Sequence, residues 1–235
     1  MMQWLMNLDW NAIVQIIIID ILLGGDNAVI IALACRNLPP KARRQGIIWG
    51  AGGAIVLRVI LITVAVALLN VPFLKLVGGV LLLWIGIKLM VPADEGGEHA
   101  KLQASDRLLS AIKTIIIADF VMSVDNVIAI AGAAEQADPS QRTGLIIFGL
   151  LVSVPFIVFG SQIILKLLDR FPIIILLGGA LLGWIAGGLM LSDPIVEPHL
   201  PQTDTARYVA SAVGAAFVVA VAKLVGRRRQ RATGA

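Results

Sequence analysis

Residues 20–34 read DILLGGDNAVIIALA. Asp20, Asp26 and Asn27 interrupt an apolar run that begins near Ala12, and a Gly-Gly pair stands between the two aspartates. A charged aspartate at the centre of a membrane helix costs about 2.5–3.5 kcal/mol on insertion scales. The same pattern returns later. Residues 16–34, IIIIDILLGGDNAVIIALA, align at an offset of 99 with residues 115–133, IIIADFVMSVDNVIAIAGA. Asp20, Asp26 and Asn27 thereby fall on Asp119, Asp125 and Asn126. Helix-gluing hydrogen bonds between membrane spans are worth only about 0.6–2 kcal/mol each. Packing alone does not offset four buried carboxylates, so the six residues read as ligands for cations.

The surroundings are those of a membrane protein. The chain has 235 residues, is 58% hydrophobic and only 14% charged. Apolar runs long enough to cross a bilayer recur along its length, and lipid forces each backbone amide to find its partner inside the span, as a helix does. The expected fold is all-α and polytopic, with seven spans near 11–35, 46–69, 72–91, 110–134, 143–168, 171–191 and 205–226. Trp4 and Trp10 suit interfacial anchoring of the first span.

A second repeat extends the first. Residues 71–90, VPFLKLVGGVLLLWIGIKLM, align at an offset of 100 with FPIIILLGGALLGWIAGGLM at 171–190, and 10 of the 20 positions are identical. The chain therefore reads as three spans (1–92), a linker (93–109), the same three again (110–191), a loop (192–204) and a seventh span with a basic tail (205–235). An odd number of spans per unit predicts an inverted-topology repeat, the plan of many secondary transporters.

Charge placement sets the expected orientation. Arg36, Lys41, Arg43 and Arg44 lie in the first connection, Lys101 and Arg107 in the third, Lys166 and Arg170 at the fifth, and Arg227, Arg228, Arg229 and Arg231 in the tail. The N-terminus and the sixth connection carry none. By the positive-inside rule the N-terminus is outside and the C-terminus cytoplasmic. Topology thus accounts for the net charge of +4, and nucleic acid is not an expected partner. The single cysteine, Cys35, excludes an internal disulfide and any CxxC motif, and it reads as an inert helix-end residue. No nucleophile–base pair or cofactor motif points to an enzyme.

Depth leaves two arrangements open. If the second unit is inverted, Asp20 is level with Asp125 and Asp26 with Asp119. In unbroken helices these layers stand about 9 Å apart, so either two stations lie along a path or the helices break and the groups converge. Gly24-Gly25 is where a break is easiest; the second copy has Ser123-Val124 there. Convergence is the favoured expectation. Carboxylates and Asn carbonyls are hard oxygen donors suited to Mn, Ca or Mg. Met122, on the helix face of Asp125 and Asn126, tilts the choice toward Mn(II) if its thioether ligates; ordinary packing is its other reading. Ser123 is a further accessory candidate. Arg58, too central in the second span to snorkel, is expected to pair with a buried aspartate. Four Asp and one Arg leave −3, a divalent ion leaves −1, and a proton can neutralise the rest. Asp94, Glu95, Glu98 and His99 read as a solvated loop, and the Gly78-Gly79 and Gly178-Gly179 pairs as close helix packing.

At DILLGGDNAVIIALA and ADFVMSVDNVIAIAGAA the chain resembles the TerC family, in particular its short YjbE/YkoY-like branch, grouped with LysE-type exporters. The resemblance covers most of residues 10–191. It implies a seven-span bacterial inner-membrane protein and associates the chain with manganese export. It also matches Asp20, Asp26, Asn27, Asp119, Asp125 and Asn126 to the family's acidic positions. The E-x-G-D-[KR]-[ST] motif of UPF0016-type cation exporters is absent. Three functions are expected in competition. The first is divalent-metal export by alternating access, with the metal as substrate, no resident cofactor and protons as a candidate counter-ion. The second is export of a small cationic organic solute. The third is a membrane partner in metalation of secreted enzymes or in tellurium resistance. None of them specifies an oligomeric state.

Overall fold

A computed structural model describes residues 10–69, 71–91, 104–134 and 142–233. Trp4 and the acidic loop of Asp94, Glu95, Glu98 and His99 lie outside these residues, as does the side chain of Trp10. Among the described residues there are eight helices and no strand: α1 (Trp10–Leu23), α2 (Gly25–Cys35), α3 (Pro40–Leu69), α4 (Leu74–Met90), α5 (Ala104–Ala134), α6 (Arg142–Arg170), α7 (Ile173–Leu191) and α8 (Asp204–Thr233).

The first expected span is two helices. α1 and α2 meet at Gly24 with a bend of 47°. The backbone there (φ −96°, ψ 0°) is open to any residue, so conformational freedom does not explain the glycine. Its missing side chain does: a Cβ at Gly24 would strike the backbone carbonyl oxygen of Asp20. No such break occurs in the second copy, where α5 runs unbroken through Ser123 and Val124.

Several helices outrun the expected spans. α3 starts at Pro40 and α5 at Ala104, against expected starts of 46 and 110. Proline at the first helical position lacks only an N–H that would have no intrahelical partner, and Lys, Ala and Arg then continue a helix readily into the polar zone. α3, α6, α7 and α8 each contain a segment long and apolar enough to cross a membrane, and the bent α1–α2 pair makes a fifth. α4, with 17 residues, is about 25 Å long. α5 has 31 residues and carries the second acidic motif. The fold is that of an all-helical, multi-pass membrane protein. Large apolar side chains such as Leu22, Trp49 and Phe159 face outward, each at least 65% exposed, as a lipid-facing surface requires.

Connections pair up at the two ends. Arg43, in the first turn of α3, donates to the Arg36 carbonyl oxygen at 2.7 Å and lies 3.6 Å from Asp169 at the end of α6. The first and fifth connections therefore share one end, and the second and sixth share the other, joined by Asp193 as described below. Two apolar clusters fill the bundle of α1, α2, α3, α5 and α6. One, containing Ile31, Leu33, Ile47 and Ile115, lies toward the first connection. The other, containing Ile13, Ile16, Ile55 and Leu150, lies toward the opposite end. Along the chain, Asp20 falls between Ile16 and Ile31, and Asp119 between Ile115 and Ile130, that is, between the two clusters.

The glycine pairs do pack helices. A Cβ on Gly79 would overlap Met190, and one on Gly179 would overlap Met90, so α4 and α7 press together through reciprocal contacts. Gly78 abuts Val121 of α5, and Gly178 abuts Leu33 of α2. Cys35 is a buried free thiol in the cluster beside the first connection.

Candidate functional site: two aspartates around one arginine

The site is assembled from four helices. Asp20 comes from the last turn of α1, Arg58 from the middle of α3, Asp119 and Ser123 from α5, and Ser153 from α6. Asp20, Arg58 and Asp119 are at most 3% exposed, and both serines are fully buried. The guanidinium lies between the carboxylates. Nη1 donates to Asp20 Oδ1, and Nη2 donates to Asp119 Oδ1 at 2.6 Å. Nε donates to Ser123 Oγ at 3.2 Å, and that hydroxyl donates onward to Asp119 Oδ2 at 3.1 Å. Ser153 donates to Asp20 Oδ2. All four carboxylate oxygens thus accept a hydrogen bond.

This network explains how two carboxylates persist at such depth. A buried ion pair is tolerable only when its geometry is good and further hydrogen bonds support it; here each carboxylate oxygen accepts one. Arg58 was expected to pair with one aspartate; it holds two, one from each copy of the motif. Asp20 and Asp119 converge on one group instead of standing in separate layers. Fully ionised, the trio carries −1.

Asn27 contrasts with this completeness. It is 4% exposed, yet neither its amide nitrogen nor its carbonyl oxygen has a hydrogen-bond partner. Such an orphan costs about 1–3 kcal/mol. Asn27 lines a small cavity together with Arg58 and Asp119, walled by apolar side chains including Ile30, Ile55 and Ile157. Its room for the centre of a water-sized sphere is about 10 Å³, enough for about one water or one bare ion. Asp26, half-buried in the first turn of α2, accepts from the Asn27 backbone N–H at 2.8 Å, where a negative charge suits the helix dipole. A Cβ on Gly25 would meet no atom within 4 Å, so the bend opens onto free space.

The remaining candidates divide. Asn126 is half-buried on α5, and the side chain of Asp125 lies outside the described residues. Met122 packs in an apolar cluster with Ile30, Leu82 and Ile85, apart from the carboxylates' hydrogen-bond network. Among the described residues no three His, Cys, Asp or Glu side chains gather as a ready-made metal cage. Sequence reasoning missed Ser153. The signal was available, because a hydroxyl inside the apolar run of α6 is the same kind of anomaly as a carboxylate in the run of α1.

It also passed over Asp193, in the loop after α7. Asp193 is fully buried and reaches back to the start of α4. Its carboxylate accepts from the backbone N–H groups of Phe73 (3.1 Å), Leu76 (3.0 Å) and Ile195 (3.0 Å). Burial pushes its acidity toward a higher pKa, but N–H donors from Ile195, Leu76, Phe73 and Lys75 together hold the carboxyl below its usual range. Phe73, at φ 65°, adopts the left-handed conformation, which is rare for an aromatic residue.

A family model described as "Integral membrane protein TerC family" matches residues 5–231. The chain belongs to the TerC family of integral membrane proteins. It is 39% identical over 208 residues to the uncharacterized membrane protein YjbE of Bacillus subtilis, covering 88% of this chain and 92% of the relative. It is 25% identical over 208 residues to the UPF0053 inner membrane protein YgdQ of Escherichia coli K12, covering 82% and 84%. The Bacillus subtilis membrane protein YceF matches at 22% over 170 residues, covering 69% and 64%. No solved structure matches. The family match spans both copies of the acidic motif, so the Asp20–Arg58–Asp119 network lies wholly within the TerC region.

Proposed function

We propose that this TerC protein is a secondary transporter that exports divalent metal ions, Mn(II) foremost, by alternating access. The observation that carries this reading is the gathering, deep in a multi-pass bundle, of two carboxylates and an unpartnered Asn27 amide beside a break in a helix. Discontinuous helices at the midplane are where transporters of this general plan bind their substrates. Oxygen donors of this kind suit hard divalent ions. α4 and α5 complete seven spans as two inverted three-helix units plus α8, with the N-terminus outside and the C-terminus cytoplasmic in a bacterial inner membrane. Asp20, Asp26, Asn27, Asp119, Asp125 and Asn126 supply the ligands in the course of transport, and a proton is the candidate counter-ion.

The deciding measurement is cellular manganese with and without the gene. Expression of the wild type lowers accumulated manganese, and Asp26→Asn or Asp119→Asn, present in the membrane at normal level, does not. Unchanged manganese on wild-type expression overturns the reading. One observation favours a second reading, export of an organic cation: the two carboxylates clasp a guanidinium. Arginine efflux that responds to the protein while manganese does not would select it.

A further inference from the structure

The carboxylate pair is already engaged. Each of its four oxygens accepts a hydrogen bond, two of them from the same guanidinium. A divalent ion bound by Asp20 and Asp119 would meet a like charge at contact distance unless the guanidinium moved away. The position aligned with Arg58 in the second copy, at the offset of 99, is Ile157, and Ile157 faces the same small cavity as Arg58, Asn27 and Asp119. One cation therefore serves two symmetric acids from one side only. Arg58 reaches the pair on a long, flexible stem, and a guanidinium keeps its charge wherever it goes.

We propose that Arg58 is a tethered resident cation: it occupies the Asp20–Asp119 pair in the unloaded protein, is displaced when a divalent cation binds there, and returns when that cation leaves. This rests on the transport reading and adds the identity of the group that resets the empty carrier. With Arg58 on the pair the local charge is −1; with a divalent ion there instead, the pair itself is neutral. Crossing the bilayer interior with two bare carboxylates is costly, and the returning arginine lowers that cost, leaving a charge of −1 that the counter-transported proton can neutralise. Loaded and empty carriers both reorient; a carrier with bare acids does not. The unpartnered oxygen of Asn27, beside Arg58 and Asp119, is a ready ligand for the incoming ion.

The test uses purified full-length protein, in detergent and in proteoliposomes. Arg58→Gln removes the competitor, so equilibrium binding of Mn(II) tightens by about tenfold or more, because apparent affinity scales with the fraction of protein in the competent state. Net efflux by this variant falls to background, while exchange of labelled for unlabelled Mn(II) across the membrane persists. Weakened binding, or net efflux that survives, overturns the proposal. A second arm is independent of transport. Arg58→Ala lowers the melting temperature, and millimolar Mn(II) or Ca(II) restores it toward wild type, while the wild type gains less. Recovery with guanidinium but not with either metal, or with neither, overturns the displacement of Arg58 by a divalent ion. A wild type that moves no metal although Arg58→Ala is rescued by it counts against the transport reading and leaves the resident-cation assignment standing. Should Arg58→Ala not fold, Arg58→Lys keeps the charge but loses the two-pronged grip, and it shows the same tightening in smaller measure.

Discussion

The two copies of the acidic motif differ most at one position. Gly24 and Ser123 align at the offset of 99, yet the first ends a helix and the second continues one. Gly24 lets the chain bend against the Asp20 carbonyl, because nothing projects from it. Ser123 stays in register, and its hydroxyl bridges Arg58 and Asp119 one turn back. Asp20 takes the equivalent hydroxyl from another helix, through Ser153. Similar sequences thus build unlike halves around one shared arginine: a bent half that leaves Asn27 unpartnered, and a straight half in which Ser123 and Asp119 hydrogen-bond to each other. A second contrast lies at the starts of α4 and α7. Phe73 is left-handed and capped by Asp193. The aligned turn at Pro172 is ordinary right-handed backbone with no side-chain cap.

These contrasts can be broken by mutation. The largest effect falls on the shared centre. Asp20→Asn combined with Asp119→Asn leaves Arg58 buried with no counter-charge and costs about 3–5 kcal/mol. Each single variant leaves the guanidinium paired with the other aspartate and costs clearly less than half of that; additive losses in thermal unfolding would show that the copies do not share it. Next comes the break. Gly24→Ser, which makes the first copy imitate the second, forces a Cβ against backbone and destabilises by about 1–3 kcal/mol. Unaltered stability would mean the bend does not depend on the glycine. Asp193→Asn then costs about 0.5–2 kcal/mol, the range for a lost helix cap. Its pH signature follows from the direction of the shift. A carboxyl held below its unfolded pKa stabilises fully above that unfolded value, and the gain fades as acid carries the pH down through the folded one. Wild-type stability should therefore fall on acidification into and below the carboxylate range by more than that of Asp193→Asn, as melting temperatures across pH would show. The smallest effect is Phe73→Gly. Relief of a left-handed aromatic residue offsets the loss of its side-chain contacts, leaving stability within about 1 kcal/mol of wild type. A large loss would make the side chain itself the anchor of α4.

Much of this was legible along the chain because bilayer physics acts on single segments. Apolar length marks spans, and a carboxylate inside one is an anomaly wherever it points. Gly24-Gly25 was readable as the weak point for the same local reason. Helix ends were less legible, since Lys and Arg at 41–44 mark where the apolar run stops and not where the backbone changes course. The two-layer scheme for the aspartates assumed straight helices, and the bend at Gly24 removes that assumption for Asp20. Asp193 looked like one more acid in a polar loop, because its value lies in the free N–H groups of a helix 117 and 120 residues away.

The sequence by itself determined a helical membrane protein with a doubled acidic motif, and which residues must be reconciled with burial, because the penalty for placing a charge in hydrocarbon belongs to each residue alone. Only the tertiary structure decided how that penalty is met. Arg58 lies 38 residues from Asp20 and 61 from Asp119, and Ser153 lies 133 residues from Asp20. Which side chains face one another across helices so separated is set by packing, where a glycine against a methionine or a bend at one residue fixes every approach, and no local pattern records it.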